Sequence, residues 1–287
     1  MSTRRATLMA TKSGTSASAG AADMTDPITI SFCTTCKNRL YQLRETLPGN
    51  LEAIGAGEEI VLVDYDSPDG LAKWVWDNFR EAIEAGRLRF FRVTDTAPWH
   101  VSKAKNLAYR LSRGEYLFNL DGDNFLTASD LEKIHEASAA GTGCRQKTEN
   151  LTDGTPGRIG MARRIFFELG GYDEGLLGVI LEDFDLVTRA EMIGYAFRQL
   201  GAPERLPVQN NVRERLGTYA PEKTPGRAEL GKLWMTNLAV AELRRELEGP
   251  RRHQNFASFR GRLNGQPVIV DGAGFIRADH TVANTQP

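Results

Sequence analysis

The sequence predicts an α/β fold: a mostly parallel, Rossmann-like sheet flanked by helices. Two patterns predict it. Short apolar, β-rich runs alternate with segments of helical period, the signature of βαβ units. Acidic residues stand directly after several of those runs. Open parallel sheets bind ligands at the carboxyl ends of their strands, so acids placed there point to one polar cleft.

Taken in order, the first strand is "ITISFCT", just after Pro27. A helix follows in "NRLYQLRETLPGNLEAI", where Leu40, Leu43 and Leu47 fall at helical spacing. Glu59 to Val63 is a short apolar run of the kind that forms a buried parallel strand, and Asp64 ends it. Leu71 to Ala85 reads as a helix and "LRFFRV" as a third strand. "VSKAKNLAYRLSRG" reads as a helix with Gly114 as its C-cap. "EYLFNL" is a fourth strand, running into "DGDNFL". Downstream, "GRIGMARRIFFELGGYDE" reads as strand, helix and turn, "LEDFDLVTRAEMIG" as a helix opening on acids, and "YAFRQLG" as a strand. Leu230 to Leu247 is an amphipathic helix whose Trp234 and leucines are expected to pack. The Gly-rich remainder is hard to place. The organisation expected is a disordered tail over 1–26, a catalytic domain over 27–215 with halves 27–124 and 125–215, and a C-terminal helical extension and tail over 216–287.

The chain has 287 residues, enough for a substantial core. A net charge of -1 gives no bulk attraction to nucleic acid or anionic membrane. No apolar run approaches the roughly 20 residues of a membrane helix. Three cysteines cannot build a disulfide framework and suit a reducing compartment, so the cytoplasm is the expected location. The Ala/Ser/Thr-rich N-terminus superficially resembles a transit peptide but lacks the apolar centre, about 7–15 residues, of a secretory signal. Its composition reads as a disordered tail.

Three clusters invite chemistry. Cys33 and Cys36 form a C-x-x-C pair, but no second Cys or His pair is spaced to complete a tetrahedral zinc site. A thioredoxin-like role fits the strand–loop position and not the flanking Thr-Thr and Lys-Asn-Arg; small residues closing a buried strand fit better. In "NLDGDN", Asp121 and Asp123 flank a glycine just past a strand. They read either as a solvated turn or as hard oxygen ligands for Mg²⁺ or Mn²⁺. In "LEDFDL", Glu182, Asp183 and Asp185 lie within one helical turn. They read either as compensation of the helix N-terminus or as a general base beside a substrate-holding carboxylate.

Together these residues resemble the inverting GT-A glycosyltransferases, family-2-like, and among them the β-1,4-galactosyltransferase type. Four blocks carry the resemblance in order: "TCKNR", "VSKAKNLA", "DGDN", and the long stretch ending "ILEDFDL". It implies the nucleotide-diphospho-sugar transferase (GT-A) fold and a metal-dependent transfer from a nucleotide-sugar, a UDP-sugar above all, to an acceptor hydroxyl. By the same resemblance Thr35, Lys37, Arg39 and Asp64 hold the nucleotide and Lys103 the diphosphate. Asp123, supported by Asp121, ligates Mn²⁺ or Mg²⁺, Glu182 binds acceptor and Asp183 is the catalytic base. The cysteines then become incidental. Two departures stand out. Gly178-Val179-Ile180-Leu181 replaces the family's Gly- and Trp-rich acceptor loop, and Asn210 and Asn211 stand near its late metal-binding His, so that an Asn carbonyl, of Asn211 or of Asn210, or a water takes the place of that ligand. The acceptor class stays open among a sugar, a natural product, a peptide and a lipid-linked intermediate, the last disfavoured by the lack of a membrane segment, and a homodimer is one assembly the reading allows. Two rivals remain: a nucleotidyltransferase or other nucleotide-sugar enzyme on a similar sheet, and a non-catalytic UDP-sugar-binding relative.

Overall fold

The computed structural model describes residues 27–95, 98–146, 155–177, 181–209, 227–253 and 256–281. Its strands are β1 (Ile30–Cys36), β2 (Glu58–Asp64), β3 (Leu88–Val93), β4 (Tyr116–Asn119), β5 (Gly143–Arg145), β6 (Ile159–Ala162), β7 (Phe197–Gln199), β8 (Phe259–Leu263), β9 (Gln266–Val270) and β10 (Ile276–Ala278). The helices are α1 (Leu40–Ala53), α2 (Leu71–Glu84), α3 (Val101–Leu111), α4 (Ala128–Ala139), α5 (Arg163–Glu168), α6 (Glu182–Met192) and α7 (Arg227–Glu248).

All ten strands join one sheet in the order β10-β9-β8-β3-β2-β1-β4-β6-β5-β7. The centre, β3-β2-β1-β4, is parallel, as the βαβ alternation requires. Its flanks begin with antiparallel pairs, β4 with β6 and β3 with β8. Every residue of β2 is buried, as expected of a strand covered on both faces. Side chains alternate along it. Val61 and Val63 pack with α3, α5 and α6 on one face, while Ile60 and Leu62 pack with α1, α2 and α4 on the other.

This alternation settles the C-x-x-C pair. Cys33 lies in the first of these clusters and Cys36 in the second, so the two thiols point to opposite faces of the sheet. Burial raises the pKa of both. They cannot share a metal or a disulfide.

The structure corrects one expectation and fills two gaps. α3 ends at Leu111 with Ser112 as its C-cap in extended backbone, not at Gly114. Gly114 serves a close approach instead: a Cβ there would meet Ser31 N at 2.7 Å. α4 begins with a capping box, Thr127 Oγ1 accepting from Asp130 N and Asp130 Oδ2 accepting from Thr127 N. The Gly-rich C-terminal remainder forms the β8–β9–β10 meander on the β3 edge.

Candidate functional site

The carboxyl ends of β1, β2 and β4 gather most of the residues expected to bind the donor. Thr35 and Cys36 close β1, in register with Val63 and Asp64 of β2. Lys37 donates to Tyr65 O at 3.0 Å, bridging the two strand ends. Arg39 is the N-cap of α1 and makes no capping bond with its side chain. The carboxylate of Asp64 is fully buried. Its Oδ1 accepts from Ser67 N at 2.8 Å. Its Oδ2 accepts no hydrogen bond from a described residue, and Arg92 Nε stands 3.9 Å away. Burial pushes this acid up to about 6, against the pull of the Ser67 bonds and Arg92.

Past β4, Asp121 Oδ1 accepts from Asn119 Nδ2 at 2.9 Å, and Asp123 Oδ1 accepts from Asn124 Nδ2 at 2.7 Å. Asp123 also anchors Val208 N through its backbone carbonyl. A Cβ at Gly157 would lie 2.3 Å from Asp121 Oδ2, so only glycine leaves that oxygen its place. The donor set is two hard carboxylates oriented by side-chain amides, which fits a divalent cation whose other ligands are phosphate and water. Among the described residues, no group of three or more His, Cys, Asp or Glu could hold a metal alone. Asn210 and Asn211 lie outside the described residues, as do 178–180 of the acceptor loop.

The catalytic candidates sit at the N-terminus of α6, where the helix dipole favours anions. Leu181 introduces them with φ of 85°, a conformation costly for a branched side chain and typical of constrained sites. The residue that grips them is Lys105, which sequence reading passed over in favour of Lys103. Lys105 Nζ lies 3.0 Å from Glu182 Oε1 and 2.8 Å from Asp183 Oδ1, with only 3% of its side chain exposed. Burial alone would lower its pKa, but Asp183, Glu182 and Asp121 outweigh that and hold the ammonium charged. Asp183 in turn is raised above the ordinary carboxylate range by burial, opposed by Lys105 and reinforced by Glu182 and Asp121. Lys103 is the one α3 residue not fully buried. Its backbone N–H donates to His100 Nδ1, and burial together with the Lys103 charge lowers the His100 pKa, which suits an accepting imidazole.

Asp185 takes no part in this cluster. Its Oδ2 accepts from Arg189 Nε at 2.7 Å and its Oδ1 from Arg245 Nη1 at 3.0 Å. Arg252 Nε donates to Asp173 at 3.0 Å and Arg244 pairs with the same acid. Arg189 also donates to the carbonyls of Leu169 and Gly171. These buried pairs fix α6 against α7 and the loop after α5, and so fix the position of Asp183.

The site thus unites acids at two strand ends, β2 and β4, with a lysine-held carboxylate pair. Residues 31–166 match the family model for glycosyl transferase family 2. The matched segment is just under half of the chain, and it is similar to a glycosyl transferase family 2 domain. No curated sequence matches the chain. The mannosyltransferase PcManGT from Pyrobaculum calidifontis, solved in complex with GDP-Man and Mn²⁺, is similar over 79% of this chain at 17% identity and a TM-score of 0.54. The match spans 66% of that enzyme, just under two thirds of its length. S. aureus TarS 1-349 is similar over 73% of this chain and 70% of its own, at 13% identity and a TM-score of 0.50. The likeness to both is one of fold, GT-A, and the family 2 model that the segment matches is one of glycosyltransferases. No helix among the described residues is long and apolar enough to cross a membrane.

Proposed function

We propose that the protein moves a hexosyl or N-acetylhexosaminyl group from a UDP-sugar to a hydroxyl of a sugar, natural-product or peptide acceptor, inverting the anomeric centre. The observation that carries this reading is the pair Glu182 and Asp183 held on Lys105, within electrostatic reach of Asp121 at the end of β4. Asp183 takes the acceptor proton as the acceptor oxygen bonds to the anomeric carbon and the bond from that carbon to the diphosphate breaks. Its raised basicity suits proton abstraction near neutral pH. Glu182 holds the acceptor. Lys105 keeps both carboxylates in place, and Lys103 faces the diphosphate.

Asp64 supports uridine as the base. Its one unbonded oxygen offers a single acceptor, which matches the single N3–H of uracil better than the paired N1–H and N2–H of guanine. Thr35, Lys37 and Arg39 line the same strand ends. Asp123, Asp121 and Asn211 would hold Mn²⁺ or Mg²⁺, and a bound cation would offset charge on the departing diphosphate. The donor half is then 27–124 and the acceptor half 125–215, with 216–287 as an extension. Three buried free cysteines suit the cytoplasm.

The test pairs binding with turnover. Wild type and Asp183→Asn are titrated calorimetrically with UDP, UDP-sugars and GDP, with Mn²⁺ and then with chelator, and transfer is measured alongside. UDP binding that needs the cation is expected in both proteins, with transfer reduced about 10²–10⁴-fold in the variant. Wild-type turnover by Asp183→Asn would remove Asp183 as the base, and tighter binding of GDP would overturn the donor.

A further inference from the structure

Helix α7 turns one face to the body of the protein and one outward. Asn237 and Ala241 are buried, and Trp234, Leu238 and Val240 pack with Leu176 and Leu181. Asn237 locks the rotation of the helix: its Oδ1 accepts from Leu177 N at 3.0 Å and its Nδ2 donates to Leu177 O at 2.5 Å. The expectation that Trp234 and the leucines of this helix pack is therefore only half met: Trp234 and Leu238 do, Leu243 and Leu247 do not. Met235, Leu243 and Leu247 expose 62%, 54% and 76% of their surface. With the exposed Gly231 and Ala239 they form a single ridge at four-residue spacing, the kind of ridge helices use to pack on one another. Scattered exposed apolar residues are ordinary, but a continuous row of them marks an interaction surface.

The residues around this row are symmetric about Ala239. Met235 and Leu243 stand four positions to either side, Lys232 and Glu246 seven, and Gly231 and Leu247 eight. Reversing the helix about Ala239 exchanges the members of each pair. Two copies laid antiparallel across a two-fold axis at Ala239 would set Met235 against Leu243, Lys232 against Glu246, and Leu247 over the space beside Gly231, each twice. A two-fold interface requires this kind of self-complementarity. A parallel arrangement would oppose like charges instead. The small residue at the crossing lets the axes approach to about 8–10 Å. Lys232 and Glu246 are exposed and form no ion pair with another described residue.

We infer that the partner of this face is a second copy of the chain, docked antiparallel along α7 with Ala239 at the two-fold axis. The inference stands on the helix pattern alone and is independent of the catalytic reading.

Sedimentation velocity across the micromolar range tests it. The wild-type chain should sediment as a dimer. Met235→Lys and Leu243→Lys should sediment as monomers that keep the wild-type circular dichroism spectrum, since both positions are exposed. Lys232→Glu and Glu246→Lys should each weaken dimerisation about tenfold, because each places like charges together at two symmetric sites. The double variant should regain the wild-type constant. A monomeric wild type, or a dimer indifferent to Leu243→Lys and Met235→Lys, would overturn the interface. Failure of the double charge swap to restore dimerisation would overturn the antiparallel register.

Discussion

Glu59 and Asp64 lie on the same strand, and neither exposes any surface, yet their surroundings differ. Glu59, at the amino end of β2, is surrounded by donors. Ser31 Oγ, Arg113 N and Arg113 Nε all reach it within 2.8 Å. Asp64, at the carboxyl end, keeps one oxygen without a hydrogen bond and a pKa raised to about 6. One buried acid is satisfied within the protein and the other is left open. In a parallel sheet the first end serves stability and the second serves ligands. A buried acceptor without a donor costs free energy that a ligand's N–H can recover.

The contrast can be broken from either end. Replacing Glu59 by Ala strands the donors of Ser31 and Arg113. The expected loss is about 2–4 kcal/mol of stability, moderated because Arg113 is partly exposed. This corresponds to a fall of the order of 10 °C in Tm. Nucleotide affinity, followed by calorimetry, should not change; a loss of affinity without a loss of stability would reverse the roles of the two ends.

At the carboxyl end, Lys105→Met removes the cation that favours ionised Asp183. An opposite charge this close lowers a carboxyl pKa by about 1–3 units, so removing it raises the pKa further. The base works only when ionised. The acid limb of kcat/KM should therefore move to higher pH by about one unit or more, and Lys105→Arg should restore it. The other charged or titratable groups facing Asp183 are Glu182, Asp121 and Tyr172, all unchanged in the variant. A uniform loss of rate at every pH would reduce Lys105 to packing.

The smallest effect sharpens the contrast most. Asp64→Asn should weaken nucleotide binding about tenfold, the worth of one charge-assisted hydrogen bond. Tm should hold, because a neutral amide avoids the burial cost carried by the carboxylate. Wild-type affinity should fall as pH drops through about 6, where Asp64 gains a proton, and the variant should lose that dependence.

Much of this was legible in the sequence because it is local. Apolar runs and helical spacing mark β1 to β4 with their helices, and strand ends place Asp64, Asp121 and Asp123. Lys105 was not legible. It stands two residues from Lys103, on the other side of the helix, and only packing shows that one lysine is buried against α6 while the other is not. Nor does "LEDFDL" reveal that Asp185 faces Arg245 and Arg252 rather than the cleft, since those partners are distant in sequence. The β8–β9 hairpin did carry a local signal. Asn264 and Gly265, with φ of 48° and 84°, form the Asn-Gly turn that suits tight hairpins. The surrounding glycines masked it: Gly261 reads as loop, yet its missing Cβ is what lets β8 lie against Phe91 and Arg92.

That hairpin turn also bears on how the chain reaches its folded state. Asn264 donates its backbone N–H to Phe90 O and accepts from Phe90 N through its side chain, across 174 residues of sequence. Until this segment emerges from the ribosome, β3 stands with an unpaired edge, the kind that recruits strands from other chains. The meander closes that edge and replaces it with β10, three residues long and bearing Arg277. A short charged margin recruits poorly. Strands made long after β3 are thus the ones that close its edge during synthesis.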